Sequence, residues 1–272
     1  MLAISNQNDP VYSSDGERTG ALIINADDWG RDVQTTDRIL ECAALGSISS
    51  ASAMVFMQDS ERAAELARAR GVDVGLHLNF TTAFSAADCF GRLAEHQQRL
   101  QRHLLRNRLA QVFFHPGLAG SFEYVVAAQT EEFQRLYGVA PQRIDGHHHM
   151  HLSANVVFGE LMPGGTLVRR NFSFTASEKS LMNRFYRKFI DTRLERRHRL
   201  VDYLFSLAPF EPADRLDRIF GLARKAIVEL ETHPIKPDEY RFLTQGDLFN
   251  RIGNHFIASR FSVSGRGNDH ES

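Results

Sequence analysis

Short runs of branched apolar residues, separated by longer amphipathic stretches, set the rhythm of this chain. Ala21-Leu22-Ile23-Ile24 is apolar throughout and predicts a buried strand. A helix is predicted over 35–45, stopped by Gly46, which tolerates the left-handed turn at a helix end. Residues 49–56 predict a second strand, and the Ala-rich Ser60–Arg70 a second helix stopped by Gly71. Across 72–80, Val72, Val74, Leu76, Leu78 and Phe80 alternate with Asp73, Gly75, His77 and Asn79, the period of a strand.

The same rhythm continues. Residues 93–113 predict a basic helix with a solvated face, with Arg92, Arg99, Arg102, Arg106 and Arg108. Ser121 suits an N-cap for a helix that runs to Tyr137 and stops at Gly138. Arg143-Ile144-Asp145 is the next strand, and 164–172 a further turn and strand. Over 177–205, Leu181, Phe185 and Phe189 recur every four residues, as do Met182, Tyr186 and Ile190, which predicts an amphipathic helix. Another helix, 216–230, runs into a strand beginning near Ile227, and His233 is held extended by Pro234. Residues 243–257 predict a closing helix. Strands alternating with helices imply an α/β fold of parallel strands joined by crossover helices. With no internal repeat and no long linker, one domain is expected over 21–262, between a polar leader (1–20) and a tail (263–272).

Composition narrows the classes. The 272 residues are 43% hydrophobic and 24% charged, enough for one large core. A net charge of -1 offers no global field for nucleic acid, which is therefore not an expected partner. The local exception is 178–199, where eight Lys or Arg stand against three acids. That segment suits either a lid helix with a solvated basic side or a contact to a membrane surface or lipid-linked substrate. Cys42 and Cys89 are the only cysteines, which suits a reducing, cytoplasmic setting. No apolar run reaches the roughly 18 residues of a membrane helix. Oligomeric state is left open, with a homodimer among the expectations.

The candidate chemistry sits where the strands stop. Asp145-Gly146-His147-His148-His149-Met150-His151 is the densest cluster. In an extended chain, Asp145, His147, His149 and His151 would share one face, which reads as a metal or proton-transfer site. Asp27 and Asp28 follow the first strand, His77 lies in the third, and His233 ends a later one. Parallel strands bring such ends to one rim. One carboxylate and two imidazoles make a metal triad with open positions, and a second, adjacent aspartate is left as a base. A lone histidine in an apolar strand is usually a satisfied core residue, so His77 draws its weight from the other groups.

Together, Asn25-Ala26-Asp27-Asp28-Trp29-Gly30, Val74-Gly75-Leu76-His77, the 145–151 block and His233-Pro234 resemble the YdjC-like carbohydrate deacetylases, distant relatives of the NodB-type polysaccharide deacetylases. The resemblance covers 21 to about 250. It implies a distorted (β/α) barrel, short of a regular eight-stranded one, with the basic segment 177–205 as an addition. It implies metal-dependent removal of an N-acetyl group from an amino sugar. Asp28, His77 and His147 would be the ligands of one divalent ion, magnesium or zinc. Asp27 would be the general base, His233 the acid on the leaving amine, and Arg169 a group orienting the base, with Arg170 beside it leaving the register open. His149 and His151 would orient His147 or bind sugar, and His148 would be structural. Trp29 stands where the family has Phe, a change of pocket shape. The large basic segment moves the expected substrate from a small soluble sugar toward a saccharide carried on lipid or polymer. Two other readings stay open: an amidohydrolase- or phosphoesterase-type metal hydrolase, and a non-catalytic saccharide-binding barrel. Asp27 beside Asp28, with His233, speaks against the second, since binding needs neither base nor acid.

Overall fold

A computed structural model describes residues 20–87, 91–174, 180–252 and 257–261. The leader up to residue 19, the tail from 262, and Cys89 lie outside the described residues. Seven strands follow one another as β1 (Ala21–Trp29), β2 (Ser50–Ala53), β3 (Val74–Leu78), β4 (Arg143–Gly146), β5 (Leu167–Val168), β6 (Tyr203–Ser206) and β7 (Ile227–Thr232). The helices between and after them are α1 (Val33–Ala44), α2 (Ser60–Arg70), α3 (Arg92–Leu104), α4 (Ala119–Tyr137), α5 (Ala154–Phe158), α6 (Leu181–Glu195), α7 (Arg215–Leu222), α8 (Pro237–Thr244) and α9 (Asp247–Ile252).

All seven strands are parallel, in the order β5-β4-β3-β2-β1-β7-β6. β1 is central and all nine of its residues are buried, as expected of a strand covered on both faces by helices. The sheet curls until its edges meet. Val168 N–H donates to Arg199 O at 2.9 Å, Arg199 N–H to Thr166 O at 3.1 Å, and Ser173 N–H to Leu204 O at 2.8 Å. The expected distorted barrel with fewer than eight strands is therefore what forms. Among the described residues, no helix is long and apolar enough to cross a membrane.

Local chemistry explains most boundaries. Asp32 caps α1, its Oδ1 accepting from Thr35 N–H at 2.8 Å. Gly71 and Gly138 take left-handed φ of 68° and 76° where α2 and α4 stop.

Several expectations need correction. The basic helix stops at Leu104, and the rest of 93–113 makes a separate 3-10 turn at Arg108–Gln111. Ser121 is not an N-cap: α4 begins at Ala119, and the buried Ser121 hydroxyl lies 3.0 Å from His96 Nδ1. The helix predicted over 177–205 ends at Glu195, and Tyr203–Ser206 instead pairs with β7, because tertiary pairing overrides a local pattern. The helix predicted over 216–230 likewise stops at Leu222, with β7 beginning at Ile227 as the strand signal suggested. The closing helix is two, α8 and α9, broken at Gly246 with φ 91°. The histidine block is not extended: His147–Leu152 is a 3-10 turn, with His148 and His149 left-handed at φ 54° and 57°.

Candidate functional site

The site is built on the C-terminal ends of five strands. β1 carries Asp27 and Asp28 at its end, where its register to β2 shifts between Ala26 and Trp29 and Asp28 adopts φ 73°. Neighbouring residues in a regular strand point to opposite faces. The irregularity lets both carboxylates reach the same rim, Asp27 toward Arg169 and Asp28 toward the histidines.

His77 on β3 stands beside Asp145 on β4 in the sheet register. Its Nδ1 lies 2.7 Å from Asp145 Oδ1, and Asp145 Oδ2 accepts from the Ser52 hydroxyl at 2.6 Å. The Nδ1 contact fixes the ring's orientation and directs Nε2 at Asp28, 3.4 Å from its Oδ1. That separation lacks hydrogen-bond geometry, so Nε2 is a buried polar atom without a partner among the described residues. His147, the first residue after β4, places Nδ1 2.9 Å from the same Asp28 oxygen.

The two left-handed residues redistribute the other histidines. His148 lies against the His147 ring, with centroids 4.1 Å apart, and its Nδ1 is 3.0 Å from Thr81 Oγ1. His149 turns to Glu231, Nε2 to Oε2 3.0 Å. His151 is fully buried, its Nε2 2.9 Å from the Arg169 carbonyl. Burial first, then the charge of His149, pushes the His151 ring down to about 3, so it stays neutral. Burial and His147 push His148 down to about 4. Two consecutive left-handed non-glycine residues are strained, and strain of this kind gathers at functional sites.

Arg169, just past β5, is the arginine of the pair that meets Asp27. Its Nη1 and Nη2 donate to the two Asp27 oxygens at 2.6 and 2.7 Å, and Nε donates to Glu229 Oε1 at 2.7 Å. Nη1 also reaches Glu231 Oε2 at 3.2 Å, and Nη2 lies 2.9 Å from Asp145 Oδ2. Arg170 points elsewhere, to Asp191 and to the carbonyls of Val201 and Asp202. His233, one residue past β7, keeps its ring partly exposed, with Nδ1 3.9 Å from Glu231 Oε1. Ligand atoms of Asp27, Glu231 and His233 all fall within 4.8 Å of one another. All six residues singled out in the sequence therefore meet at one rim.

Charge decides what this rim can hold. Asp27, Asp28, Asp145, Glu229 and Glu231 are all buried; among the described residues Arg169 is the buried guanidinium among them, and the partly exposed Arg31 donates from Nη1 to Asp28 Oδ2 at 3.2 Å. Burial alone would raise these carboxylates, but their neighbours reverse this for three. His147 and His77 hold Asp28 well below the usual carboxylate range, and Arg169 and His77 hold Asp145 below it. His149 does the same for Glu231. For Glu229 burial wins, and its carboxyl is pushed up to about 7. Burial opposes a charge on His77, but the fields of Asp27 and Asp145 overcome it and hold the ring well above its ordinary value. Five buried carboxylates against two guanidinium groups, one of them partly exposed, call for more positive charge.

Three ligand sets are close enough to hold a metal ion: Asp28/His77/His147, Asp27/His77/Asp145 and Asp27/Glu231/His233. In the second and third, Arg169 already engages the carboxylates. The first is free of Arg169, although the partly exposed Arg31 reaches Asp28 Oδ2 at 3.2 Å, and it contains His77 Nε2, which makes no hydrogen bond among the described residues, so its residues could hold a divalent ion. A cavity of about 730 Å³ opens near Ser50 and Asp73 at the other ends of β2 and β3 and plays no part in this chemistry. A groove of about 520 Å³ includes Phe172, whose ring meets that of His149 with centroids 4.5 Å apart.

Sequence reasoning missed Glu229, Glu231, Asn25 and Ser52. Asn25 donates from Nδ2 to Asp27 Oδ1 at 2.9 Å and to Ser52 Oγ at 2.8 Å. A signal was present for the glutamates. In Ile227-Val228-Glu229-Leu230-Glu231-Thr232, two acids fall on one face of an otherwise apolar buried strand.

The sequence pattern of YdjC-like proteins matches residues 21–251. The chain belongs to the YdjC-like protein family. This YdjC-like chain is 29% identical over 156 residues to the carbohydrate deacetylase of Mus musculus, covering 52% of this chain and 46% of that one. It is 30% identical over 133 residues to the chitooligosaccharide deacetylase of Escherichia fergusonii, covering 48% and 50%. The matched region thus spans about half the length of these relatives. Among solved structures, a protein of Enterococcus faecalis V583, provisionally described as cleaving cellobiose phosphate, superposes with a TM-score of 0.59. That match is 20% identical, covers 86% of this chain and 94% of the other, and bears on the fold alone.

Proposed function

We propose that this YdjC-like protein hydrolyses the acetamide of an N-acetylated amino sugar. The observation that carries the reading is the pairing of two differently held aspartates. Asp28 faces His77 and His147, while Asp27, one residue earlier, accepts from Arg169 through both oxygens. A divalent ion held by Asp28, His77 and His147, magnesium or zinc, would polarise the amide carbonyl and acidify water when bound. Asp145 holds the His77 ring, Nδ1 inward, so that Nε2 stays available. Arg169 fixes the Asp27 carboxylate at the rim, where it takes a proton from the attacking water. His233, partly exposed and within reach of the same space, gives a proton to the nitrogen as the C–N bond breaks and acetate departs.

The names of the relatives support a saccharide substrate, and the basic segment around α6 supports one carried on lipid or polymer. The thiol of Cys42 is buried and pushed up to about 12 by that burial, so it is inert, which suits a cytoplasmic setting.

The test is acetate release across free, polymeric and lipid-linked N-acetyl sugars, beside the metal content of wild type, His77→Ala and His147→Ala. About one divalent ion in the wild type, lost from both variants without unfolding, is expected. Asp27→Asn should keep its metal and lose turnover; near-normal rates would remove Asp27 as the base. Release of phosphate, or two metals per chain, would favour a phosphoesterase- or amidohydrolase-type enzyme instead.

A further inference from the structure

We propose that the outer face of α6 lies on an anionic lipid bilayer and seats the protein there. The face is apolar where solvent should favour polar groups. Leu181, Met182, Phe185 and Phe189 are 68%, 82%, 70% and 57% exposed. They occupy one side of the helix by its 3.6-residue period, while Ile190, Asp191 and Leu194 face the protein. Scattered apolar residues on a surface need no explanation, but four large ones on one helical face do.

Charge identifies what covers this face. Arg184 and Lys188 flank the apolar arc on one side, with Glu195 the acid of that flank, and Arg196 follows in the next turn. Arg184, Lys188 and Arg196 form no ion pair with another described residue. On the other flank Arg193 is tied to Glu160. A second copy docking through the same face would bring Arg184 and Lys188 of both copies together, since a two-fold contact is self-complementary. An apolar interior bordered by anionic headgroups satisfies both parts of the pattern. No described helix can cross a membrane, so the contact is interfacial.

The apolar surface has a second part. Phe158 on α5 pairs its ring with Phe189, centroids 6.2 Å apart. On the same helix, Asn155 exchanges two hydrogen bonds with the backbone of His115, at 2.9 and 3.0 Å. His115 directly follows Phe113 and Phe114, which are exposed as well. Two exposed aromatic groups are thus anchored to α5, a helix that begins soon after the histidine turn. Phe172, which lines the groove beside α6 with Leu181 and Phe185, also meets the His149 ring, so a bilayer against α6 lies one aromatic ring away from the histidine turn.

The experiment is cosedimentation of the full chain with vesicles of phosphatidylcholine alone and with phosphatidylglycerol added to about one part in three. Binding to the anionic vesicles alone, weakening as salt rises, is expected. Phe185→Ser/Phe189→Ser should lower the partition coefficient by at least ~10-fold. Arg184→Gln/Lys188→Gln should lower it by ~10-fold or more. Both pairs are exposed, so the melting temperature should stay at the wild-type value. No binding to anionic vesicles overturns the proposal. So does binding unchanged by the phenylalanine pair, which would reduce the contact to unspecific charge. A wild-type dimer that Phe185→Ser/Phe189→Ser converts to a monomer also overturns it, since the face would then belong to a second copy.

Discussion

Arg169→Met tests the charge balance of the rim most directly. The substitution keeps much of the side chain's volume and removes every contact of the guanidinium. Asp27 loses both of its Arg169 bonds, Glu229 loses its partner at 2.7 Å, and Glu231 and Asp145 lose contacts at 3.2 and 2.9 Å. All four carboxylates are buried, so water cannot take over. Removing one member of a buried charge cluster costs about 3–5 kcal/mol, because the remaining charges are left uncompensated. For a domain of this size each kcal/mol shifts the melting point by about 2–4 °C, so a fall of about 6–20 °C is expected. The assay is thermal melting followed by circular dichroism at a series of pH values.

The pH series carries the sign. Asp145 and Glu231 sit below their ordinary range in the wild type, where their neighbours overcome the effect of burial, with Arg169 among them for both. Such carboxylates contribute stability above their unfolded pKa, and that stability is lost as pH falls through the lower folded value. Arg169→Met lacks much of this contribution, so the gap between variant and wild type should be widest near neutrality and shrink toward acid. Arg169→Lys keeps a charge but not the planar fork, and should fall between the two. A melting point for Arg169→Met within about 2 °C of wild type at pH 7 would refute the view that this guanidinium balances the nest.

Asp145→Asn removes the carboxylate that orients His77 through Nδ1, and should weaken metal affinity by about 10–100-fold, read by calorimetric titration of the apoprotein. His151 gives a second pH signature. With its folded value near 3, below the unfolded value, the unfolded chain binds the extra proton between about 3 and 6.5. Stability should rise with pH across that window by up to about 1.4 kcal/mol per unit and level off above it, and urea midpoints of wild type against His151→Asn isolate the contribution. Gly30→Ala places a Cβ at φ 84° and 3.1 Å from the Met54 carbonyl, and should cost about 1–3 kcal/mol in the same urea assay.

Much of this architecture is written locally. Branched apolar runs such as Ala21-Leu22-Ile23-Ile24 can only be buried, and helices stopped by Gly71 and Gly138 return the chain for the next parallel strand. Once strands are parallel, their ends share a rim, so Asp27, Asp28, His77, His147 and His233 could be grouped while far apart in sequence. Periodicity reports which side of an element is buried, and no more. It could not say that Glu229 and Glu231 face Arg169, because that contact depends on curling β5 around to the β7 side of the barrel. Nor could it find the irregularity at Asp28 or the left-handed turn at His148 and His149, where strained backbone is held by the surrounding contacts. An alternating pattern assigned His147, His149 and His151 of the block to one face. The fold instead sends His147 to Asp28, His149 to Glu231 and His151 to the Arg169 carbonyl, because each buried ring must find a polar partner in three dimensions.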